Sequence, residues 1–401
     1  MRIGYLTNHY PRATDTFIQR EVAALRTRGF EVRTFSVRRA GSEHEVSPQV
    51  ATERRATHYL LPAGLIRILK ANAAAFIRGP RCYLAVLALA LRTRRPGLGG
   101  LALQMAYFQE AVLLSLELRR QGITHVHNHG GDNSGTVTLL AATLTQLGYS
   151  MTIHGPHIFF DPTHWALREK LHHARFIACI SYYCRSQLML FSDPEDWHRL
   201  KMVRCGIDVE RYPYADVRKQ VTQLFYAGRL ATEKGLPVLF ESLCMLQARG
   251  YDLRLTLAGD GEDRKKLEQL ARELGINQRL AFAGYLGQEQ VREHLQQSDI
   301  FVLPSFAEGV PVSLMEAMAC GVPVLSTYVG GIAELVETER TGLLVPAGDS
   351  NALSEAIVRY FDDFELRQRV SRLARQQIVT GFNLDGEVGR LAELFLATAA
   401  D

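Results

Sequence analysis

Residues 304–323 read Pro-Ser-Phe-Ala-Glu-Gly-Val-Pro-Val-Ser-Leu-Met-Glu-Ala-Met-Ala-Cys-Gly-Val-Pro. The stretch follows a short apolar run, Ile300–Leu303, which predicts a buried strand, and it contains helical periodicity over Ser313–Ala319. A further apolar run, Val324–Thr327, predicts the next strand. Strand, loop, helix and strand in this order are typical of a doubly wound parallel sheet, so the stretch indicates an α/β fold.

Two glutamates in this stretch carry the first functional prediction. Glu308 lies in the predicted loop, where its carboxylate can accept hydrogen bonds from sugar hydroxyls. Gly309 and Val310 offer backbone N–H groups near a helix N-terminus, which favours phosphate. Glu316 lies inside the helix and can accept both hydroxyls of a ribose. The alternatives are a solvated loop carboxylate for Glu308 and a capping box, formed by Ser313 with Glu316, that only satisfies the helix end.

The alternation of strands and helices extends through the C-terminal half. Predicted strands are Gln223–Ala227, Leu253–Ala258 and Leu280–Ala283, and predicted helices are Lys234–Arg249, Arg264–Leu274, Val291–Gln297 and Asn351–Phe361. Arg229 and Lys234 follow the first strand, so they lie at the carboxyl edge of the sheet, where such folds bind ligands. A forked and a point-like cation can neutralise a diphosphate leaving group without a metal, although such a pair alone is usually a solvated edge.

The N-terminal half shows the same pattern. Predicted strands are Arg2–Thr7, Glu31–Val37, Ile123–His127, Met151–Ile153 and Phe176–Ile180, and predicted helices are Thr16–Arg28 and Thr136–Leu147. The pattern is interrupted over residues 212–222 and then restarts. We therefore expect a Rossmann-like domain in residues 1–215, a second one in residues 216–380, and a C-terminal helix in residues 381–401 that packs back toward the first domain.

Charge is distributed unevenly along the chain. Residues 1–215 hold 27 Lys and Arg against 16 Asp and Glu, and the remainder holds 19 against 26. The basic half predicts an anionic partner, either a membrane surface or a phosphate-bearing substrate. The six cysteines are scattered without a CxxC pair, and the N-terminus shows no signal-peptide pattern, so we expect a reducing cytoplasm.

The basic segment, residues 54–109, contains nine Lys or Arg residues and no Asp or Glu. Its apolar runs, such as Leu65–Leu69 and Tyr83–Leu91, are shorter than the roughly 20 residues that cross a bilayer. The pattern favours a basic amphipathic segment lying in the interface of an anionic membrane. The alternative is a pair of ordinary core-packing helices with a solvated basic face.

Residues 223–350 resemble the donor domain of the retaining GT-B glycosyltransferases of family four (glycosyltransferase group 1), which includes bacterial exopolysaccharide enzymes. The similar stretches are residues 228–235, 258–262, 282–284, 304–323, 329–334 and 341–349. The resemblance implies that Glu308 contacts the donor sugar. It implies a donor-binding set of Arg229 and Lys234 at the diphosphate, Gly309, Val310, Pro311 and Gly331 beside them, Glu316 at the ribose, and Tyr285 and Leu286 near the base.

The N-terminal half resembles the colanic-acid-type members of the same family more loosely. Tyr10-Pro11, followed by Asp15-Thr16-Phe17-Ile18, is similar to their start, but the usual glycine pair of the first loop is absent. His154 precedes a glycine, as in the family's His-Gly pair, so the resemblance implies that it joins Glu308 as a catalytic residue at the donor sugar. Asp15, Thr16, His127 and His129 are the candidates on the acceptor side.

Three histidines, His125, His127 and His129, alternate and therefore share one side of a strand. Histidine is a common metal ligand, so a metal site is one alternative. The family is metal-independent by resemblance, and we expect neither a metal nor a cofactor.

The resemblance implies two Rossmann-like domains facing a central cleft, which transfer a sugar with retention from a nucleotide-diphosphate sugar to an acceptor hydroxyl. We expect a glycan or lipid-linked glycan acceptor in cell-surface polysaccharide biosynthesis, at the inner face of the cytoplasmic membrane, and no nucleic acid. The alternatives are a nucleotide-sugar epimerase of the same architecture, a phosphorylase with pyridoxal phosphate, or a non-catalytic glycan-binding protein. An NAD oxidoreductase is disfavoured, because no GxGxxG follows the first strand of either domain.

Overall fold

The computed structural model describes residues 1–400 and divides into two compact units. Unit 1 comprises Met1–Arg204 together with the segment from Val388 onward, and unit 2 comprises Cys205–Glu387. Each unit is built on one parallel β-sheet with helical connections. The predicted α/β class with two Rossmann-like sheets is confirmed.

Unit 1 contains a seven-stranded sheet in the order β3-β2-β1-β4-β5-β6-β7. Its strands are β1 (Arg2–Tyr10), β2 (Glu31–Arg39), β3 (His58–Tyr59), β4 (His125–His129), β5 (Gly148–Ile153), β6 (Phe176–Cys179) and β7 (Leu200–Met202). Its helices are α1 (Thr16–Thr27), α2 (Pro48–Ala56), α3 (Leu65–Arg78), α4 (Pro80–Arg92), α5 (Gly97–Arg120), α6 (Asn133–Thr145), α7 (Leu167–His173) and α8 (Tyr182–Leu190). The order reverses between β1 and β4, which makes their carboxyl ends a topological switch point.

Two strands of unit 1 differ from the predicted bounds. β1 continues past Thr7 because its neighbour β2 keeps pairing with it as far as Tyr10 opposite Arg39. β4 begins at His125 rather than Ile123 and keeps all five of its residues buried. Hydroxyl groups on β5 bond the buried imidazoles of His125 and His127, so these polar residues sit inside the sheet without orphaned nitrogens.

A buried lysine fixes the loop that leaves β4. Lys170 on α7 is fully buried, and its ammonium donates 2.7 Å hydrogen bonds to the carbonyls of Gly131 and Asp132. Burial lowers the pKa of this ammonium to about 7. The loop between β4 and α6 is therefore tied to the body of unit 1.

The basic segment covers the end of α2, the short strand β3, the helices α3 and α4, and the first half of α5. Ala71, Val86 and Ala90 are buried on the inner sides of α3 and α4. Within residues 1–400 no single helix is long and apolar enough to cross a bilayer. α3 and α4 reach that length and hydropathy only when taken together, and they are bent by 119° where they meet.

Unit 2 contains a six-stranded sheet in the order β10-β9-β8-β11-β12-β13, the same arrangement as the first six strands of unit 1. Its strands are β8 (Gln223–Ala227), β9 (Arg254–Ala258), β10 (Leu280–Gly284), β11 (Ile300–Leu303), β12 (Val324–Thr327) and β13 (Leu343–Val345). Its helices are α9 (Leu236–Ala248), α10 (Arg264–Glu273), α11 (Gln288–Gln297), α12 (Val312–Cys320), α13 (Ile332–Leu335), α14 (Ser350–Asp362) and α15 (Phe364–Gly381). The switch point lies between β8 and β11.

The division between the units lies after Arg204, earlier than the expected position at residue 215. The intervening segment is bonded to unit 2: Ile207 N–H donates to the carbonyl of Phe382 at 3.0 Å, and the Tyr212 hydroxyl donates to Glu316 at 2.8 Å. These contacts are long-range, so the sequence pattern alone did not show them.

The last helix, α16 (Leu384–Ala400), differs in extent from the C-terminal helix expected over residues 381–401. From Val388 onward it belongs to unit 1. The fully buried ring of Phe395 lies 5.2 Å from the ring of His127 and 5.6 Å from that of Phe176, measured between centroids. The end of the chain therefore completes the core of unit 1 beside β4.

Candidate active site

The candidate site of unit 2 lies at its switch point, where the loop after β8 (residues 228–235) meets the loop after β11 (residues 304–311). The two loops are joined through the backbone, because the Phe306 N–H donates to the carbonyl of Glu233 at 2.8 Å. Gly235 adopts φ +65°, and a Cβ there would lie 2.1 Å from the carbonyl oxygen of Pro304. A side chain at Gly235 would push the loops apart, so glycine is needed here.

Lys234 and Glu308 join the same two loops through their side chains. The Lys234 ammonium donates to Glu308 Oε1 at 2.7 Å, and the Ser305 hydroxyl donates to the same oxygen at 2.7 Å. Glu308 is 7% exposed, so its alternative interpretation as a solvated loop carboxylate is wrong. A charged pair at low exposure is held strongly, since separating it would leave a buried charge uncompensated.

Two glycines after β12, Gly330 and Gly331, contact the backbone of the loop that carries Glu308. The Gly331 N–H donates to the carbonyl of Gly309 at 2.9 Å. Gly330 has φ +54°, and a Cβ there would lie only 1.8 Å from the carbonyl oxygen of Glu308. The sequence analysis assigned a donor-binding role to Gly331 alone, whereas Gly330 makes the closer approach.

Glu316 lies apart from Glu308, inside α12. The helix is capped at Pro311 without a side-chain hydrogen bond, so the alternative in which Ser313 and Glu316 form a capping box is wrong. The Glu316 carboxylate is 8% exposed and accepts a 2.8 Å hydrogen bond from the Tyr212 hydroxyl. Tyr212 was missed, because it stands in a stretch without strand or helix periodicity.

Arg229 is half exposed, and its guanidinium bonds the carboxylates of Glu233 and Glu262. The Tyr226 hydroxyl donates to its carbonyl at 2.7 Å, which fixes the backbone where β8 ends. The cation therefore sits on the same loop as Lys234 without bonding Glu308.

Two further turns complete the carboxyl edge of this sheet. Gly259, with φ +129°, follows β9, and a Cβ there would lie 1.9 Å from the carbonyl oxygen of Gly228. Its N–H donates to the carbonyl of Gly284 at 2.7 Å. Tyr285 and Leu286 come directly after that glycine and are partly buried. The loops after β8, β9 and β10 are thus linked to one another at one edge.

In unit 1, two of the predicted acceptor-side residues, Asp15 and Thr16, lie where the loop after β1 leads into α1. Asp15 is buried, and its carboxylate accepts two hydrogen bonds of 3.0 Å from the guanidinium of Arg12. Thr16 begins α1. Asp15 therefore fixes the loop between β1 and α1.

The prediction that His127 faces an acceptor is corrected by its surroundings. His127 is fully buried, and its ring nitrogens bond the hydroxyls of Ser150 at 2.8 Å and Thr152 at 2.9 Å. His125 bonds the same Ser150 hydroxyl at 2.7 Å. Burial lowers the pKa of His127 well below its usual value and that of His125 to about 3. Both residues are neutral core residues.

His129 and His154 form a direct pair. His129 Nδ1 lies 2.6 Å from His154 Nε2, and His129 Nε2 lies 3.1 Å from Glu21 Oε1. Both nitrogens of His129 are therefore engaged within unit 1, which corrects the prediction that it contacts an acceptor. Burial, followed by the neighbouring His129, lowers the pKa of His154 well below its usual value. The ring of Phe17 lies 4.5 Å from that of His154.

Among residues 1–400, Glu21, His127 and His129 are the group whose possible ligand atoms all lie within 4.8 Å of one another. His127 bonds hydroxyl groups through both nitrogens, and His129 bonds Glu21 and His154. A metal would have to replace these hydrogen bonds, so the arrangement favours a hydrogen-bonded network.

Comparison with known proteins shows which family model and which relatives the chain resembles. Residues 215–377 match the family model described as Glycosyl transferases group 1. The chain is 27% identical to the "Putative colanic acid biosynthesis glycosyltransferase WcaL" of Escherichia coli (strain K12), over 99% of this chain and 100% of that protein.

Two solved structures share the fold over the whole chain. The sucrose-phosphate synthase of Thermosynechococcus elongatus superposes with a TM-score of 0.77 at 19% identity, covering 100% of this chain and 99% of that one. The Anabaena protein HepE, solved in complex with UDP-glucose, gives 0.74 at 17% identity, covering 99% and 100%. The predicted GT-B fold is confirmed by these likenesses.

We predict that Gly330→Ala loosens the Glu308 loop, because its new methyl group would collide with the Glu308 carbonyl. Gly348→Ala is the control: Gly348 also has positive φ, at +85°, but a Cβ there meets nothing within 4 Å. Both substitutions should cost about 1 kcal/mol from backbone strain. Hydrogen–deuterium exchange over residues 304–311 should become faster only in Gly330→Ala. Equal exchange in the two variants would contradict the assigned contact.

Proposed function

We propose that this chain transfers a sugar from a nucleoside-diphosphate sugar to an acceptor hydroxyl. The premise is that it is a glycosyltransferase whose residues 215–377 belong to the glycosyl transferases group 1 family. The observation that carries the proposal is the ion pair between the partly buried Lys234 and the buried Glu308 at the switch point of unit 2. It sets a cation for phosphate beside a carboxylate for sugar hydroxyls, at the sheet edge where doubly wound folds bind ligands.

The diphosphate of the donor would bind between the Lys234 loop and the start of α12. Lys234 supplies a point charge, and Arg229 a second cation on the same loop. The backbone N–H groups of Gly309 and Val310, with Pro311 at the cap, lie at the N-terminal end of α12, whose dipole favours an anion. These groups stabilise the negative charge that develops as the diphosphate leaves, so no metal is needed.

Glu308 would receive the donor sugar. Lys234 and Ser305 both donate to Oε1, so the carboxylate is held in one orientation with acceptor capacity left for sugar hydroxyls. Glu316 would accept the ribose hydroxyls, its orientation set by Tyr212. Gly331, Tyr285 and Leu286 keep the donor-binding roles that the family resemblance implies.

We further propose that transfer proceeds with retention and without a covalent enzyme intermediate. The acceptor oxygen attacks the anomeric carbon on the face that the diphosphate leaves, the bond from that carbon to the phosphate oxygen breaks, and the acceptor proton passes to the departing phosphate. Glu308 is a poor nucleophile in this arrangement, because Lys234 and Ser305 already bond its carboxylate. The chain then contributes positioning and charge stabilisation, with His154 as a contact of the donor sugar.

The names of the compared proteins suggest which donor and which acceptor to test first. HepE was solved with UDP-glucose, and the Escherichia coli relative carries colanic acid biosynthesis in its name. We propose a UDP-sugar as the first donor to test, and a growing cell-surface polysaccharide or its lipid-linked precursor as the acceptor.

We predict that one nucleoside diphosphate stabilises the protein in the presence of EDTA, in a thermal-shift screen of UDP, GDP, ADP, CDP and NAD. At about 100 times its dissociation constant, a ligand that binds only the folded state adds roughly 2.7 kcal/mol. Lys234→Ala should lose the response, because it removes the diphosphate cation. Lys266→Ala is the control, since Lys266 is a solvent-exposed lysine of the same unit. A response to NAD alone, or one that survives in Lys234→Ala, would overturn the donor site.

The basic segment supports a second part of the proposal, a place of action on an anionic membrane at the cytoplasmic face. α3 leaves large apolar side chains in solvent, with Leu65 and Ile66 each 71% exposed and Ile77 81% exposed. Exposed cations lie on α3 and on the following helix, α4, namely Arg67, Lys70, Arg78 and Arg81. An apolar stripe with cations on the same helices fits the headgroup region of an anionic bilayer, where each Lys or Arg near the surface adds about 1 kcal/mol.

We predict stronger sedimentation of the protein with vesicles containing phosphatidylglycerol than with vesicles of phosphatidylcholine alone. The variant carrying Ile66→Asp and Ile77→Asp should lose most of this binding. Leu190→Asp is the control, because Leu190 is 69% exposed at the end of α8, outside the basic segment. Equal binding to neutral and anionic vesicles, or equal loss in the control, would contradict the membrane assignment.

A further inference from the structure

A buried carboxylate of unit 1, Glu110, lies on α5 beside the end of β2. It is 3% exposed, and its Oε1 accepts a 3.2 Å hydrogen bond from Arg38. Its Oε2 is also buried and has no hydrogen-bond partner among the residues that the structure describes. A buried carboxylate with one bond is unfavourable, because its other lone pairs have lost water without gaining a donor. Glu110 therefore retains capacity for a further donor.

The cation beside Glu110 is held loosely. The guanidinium of Arg38 donates to Glu110 Oε1 at 3.2 Å and to the side-chain oxygen of Asn8 at 3.3 Å. Charge-assisted bonds of this kind are usually about 2.7–2.9 Å long. The side chain of Arg38 is 44% exposed, and exposed side chains change rotamer within nanoseconds. Arg38 can therefore exchange these bonds for bonds to a ligand.

A second unpartnered oxygen lies on the same face of the sheet. Gly4, Leu6 and Asn8 alternate along β1 and share one face. α5 covers this face, since a Cβ at Gly4 would lie 3.1 Å from Leu118 Cδ2. Asn128 of β4 pairs with Leu6, so its side chain lies on that face too. Asn128 is fully buried, and its Oδ1 has no hydrogen-bond partner within the described part of the chain.

Tyr107 adds a hydroxyl next to Glu110. It precedes Glu110 by one turn of α5, so the two side chains share a face of the helix. Burial, followed by the charge of Glu110, raises the pKa of the half-buried Tyr107 hydroxyl, which therefore keeps its proton. Burial also raises the pKa of Glu110, although Arg38 opposes this shift. The cluster thus offers a carboxylate, a cation and a phenol.

We propose that Glu110, Arg38 and Tyr107 form a sugar-binding subsite of unit 1 that takes a neutral hexose. Rotation of Arg38 admits the sugar, one sugar hydroxyl donates to Glu110 Oε2, and the guanidinium and the phenol donate to other sugar oxygens. A hydroxyl both donates and accepts, so it suits a carboxylate and a cation at once. An anionic ligand would meet the charge of Glu110, and a cationic one that of Arg38. That this hexose belongs to the acceptor rests on the proposed function.

The test is saturation-transfer difference nuclear magnetic resonance on the full chain with the methyl α-glycosides of glucose, galactose and mannose at millimolar concentration. At least one should receive saturation from the wild type. Glu110→Gln should weaken its binding about tenfold, because the sugar loses a hydrogen bond to a charged group. Glu117→Gln is the control: Glu117 lies two turns further along α5 and bonds Arg67 and Arg120. No saturation of any of the three glycosides, or equal weakening in both variants, would overturn the proposal.

Two charged sugars test the preference for a neutral ligand. Methyl glucuronoside carries a carboxylate and methyl glucosaminide an ammonium, and both should bind more weakly than the neutral glycoside. Tighter binding of either would indicate an anion or a cation site and would overturn the proposal. If Glu110→Gln does not fold, Tyr107→Phe keeps the ring, removes only the hydroxyl and should weaken binding about fivefold. Unchanged binding in Tyr107→Phe would then count against the subsite.

Transfer assays separate the subsite from the proposed function. With a donor and an acceptor in hand, Glu110→Gln should raise the KM for the acceptor about tenfold, and an unchanged KM would contradict a role in acceptor binding. If a nucleoside diphosphate binds but no hexoside does, the subsite fails while the donor site stands. If a hexoside binds through Glu110 and no sugar is transferred, the proposed function fails while the subsite stands.

Discussion

The ion pair between Lys234 and Glu308 joins the two loops at the switch point of the unit-2 sheet. These loops leave the carboxyl ends of β8 and β11, the strands at which the sheet order reverses. Parallel strands bring their loops to this edge in any such sheet, but the specific residues decide what the edge can bind. Here, glycines permit the close approach of the backbones, and the ion pair fixes the side chains at the point of contact.

Unit 1 repeats the strand order of unit 2 but fills its switch point differently. Instead of an ion pair between loops, it has histidines bonded to one another and to hydroxyl groups of β5. The ring of Phe395, from the end of the chain, covers the same strand. The topology is shared, while the residues at the two switch points differ.

The features predicted from the sequence are those with a local cause. Apolar runs and helical periodicity located many of the elements, and Gln223–Ala227, Ile300–Leu303 and Val324–Thr327 coincide with their strands, but the 24-residue helix α5 was not predicted. The strands β3, β7 and β13 are two or three residues long, too short to show a period of two. The observed end of an element differs from the predicted one where pairing with a neighbouring strand continues, as at the end of β1.

The same contrast between local and long-range causes applies to the candidate site. Lys234 and Glu308 were selected by their place after strands, and their direct contact depends on two loops that are distant in sequence. Tyr212 and Glu21 were missed because each acts through a partner about a hundred residues away, for which no local pattern exists. His127 and His129 were predicted to lie on the acceptor side, but hydroxyl groups, a carboxylate and a second imidazole satisfy their nitrogens.

The most direct measurement is the configuration of the sugar that the enzyme releases to water from a ¹³C-labelled α-linked nucleotide sugar, beginning with UDP-glucose, in EDTA. Water replaces the acceptor, so the acceptor need not be known. Retention at the Lys234–Glu308 site predicts that the α anomer appears first and that Lys234→Ala abolishes its release. Release of the β anomer first, or release that Lys234→Ala leaves unchanged, would contradict the proposed reaction and its site.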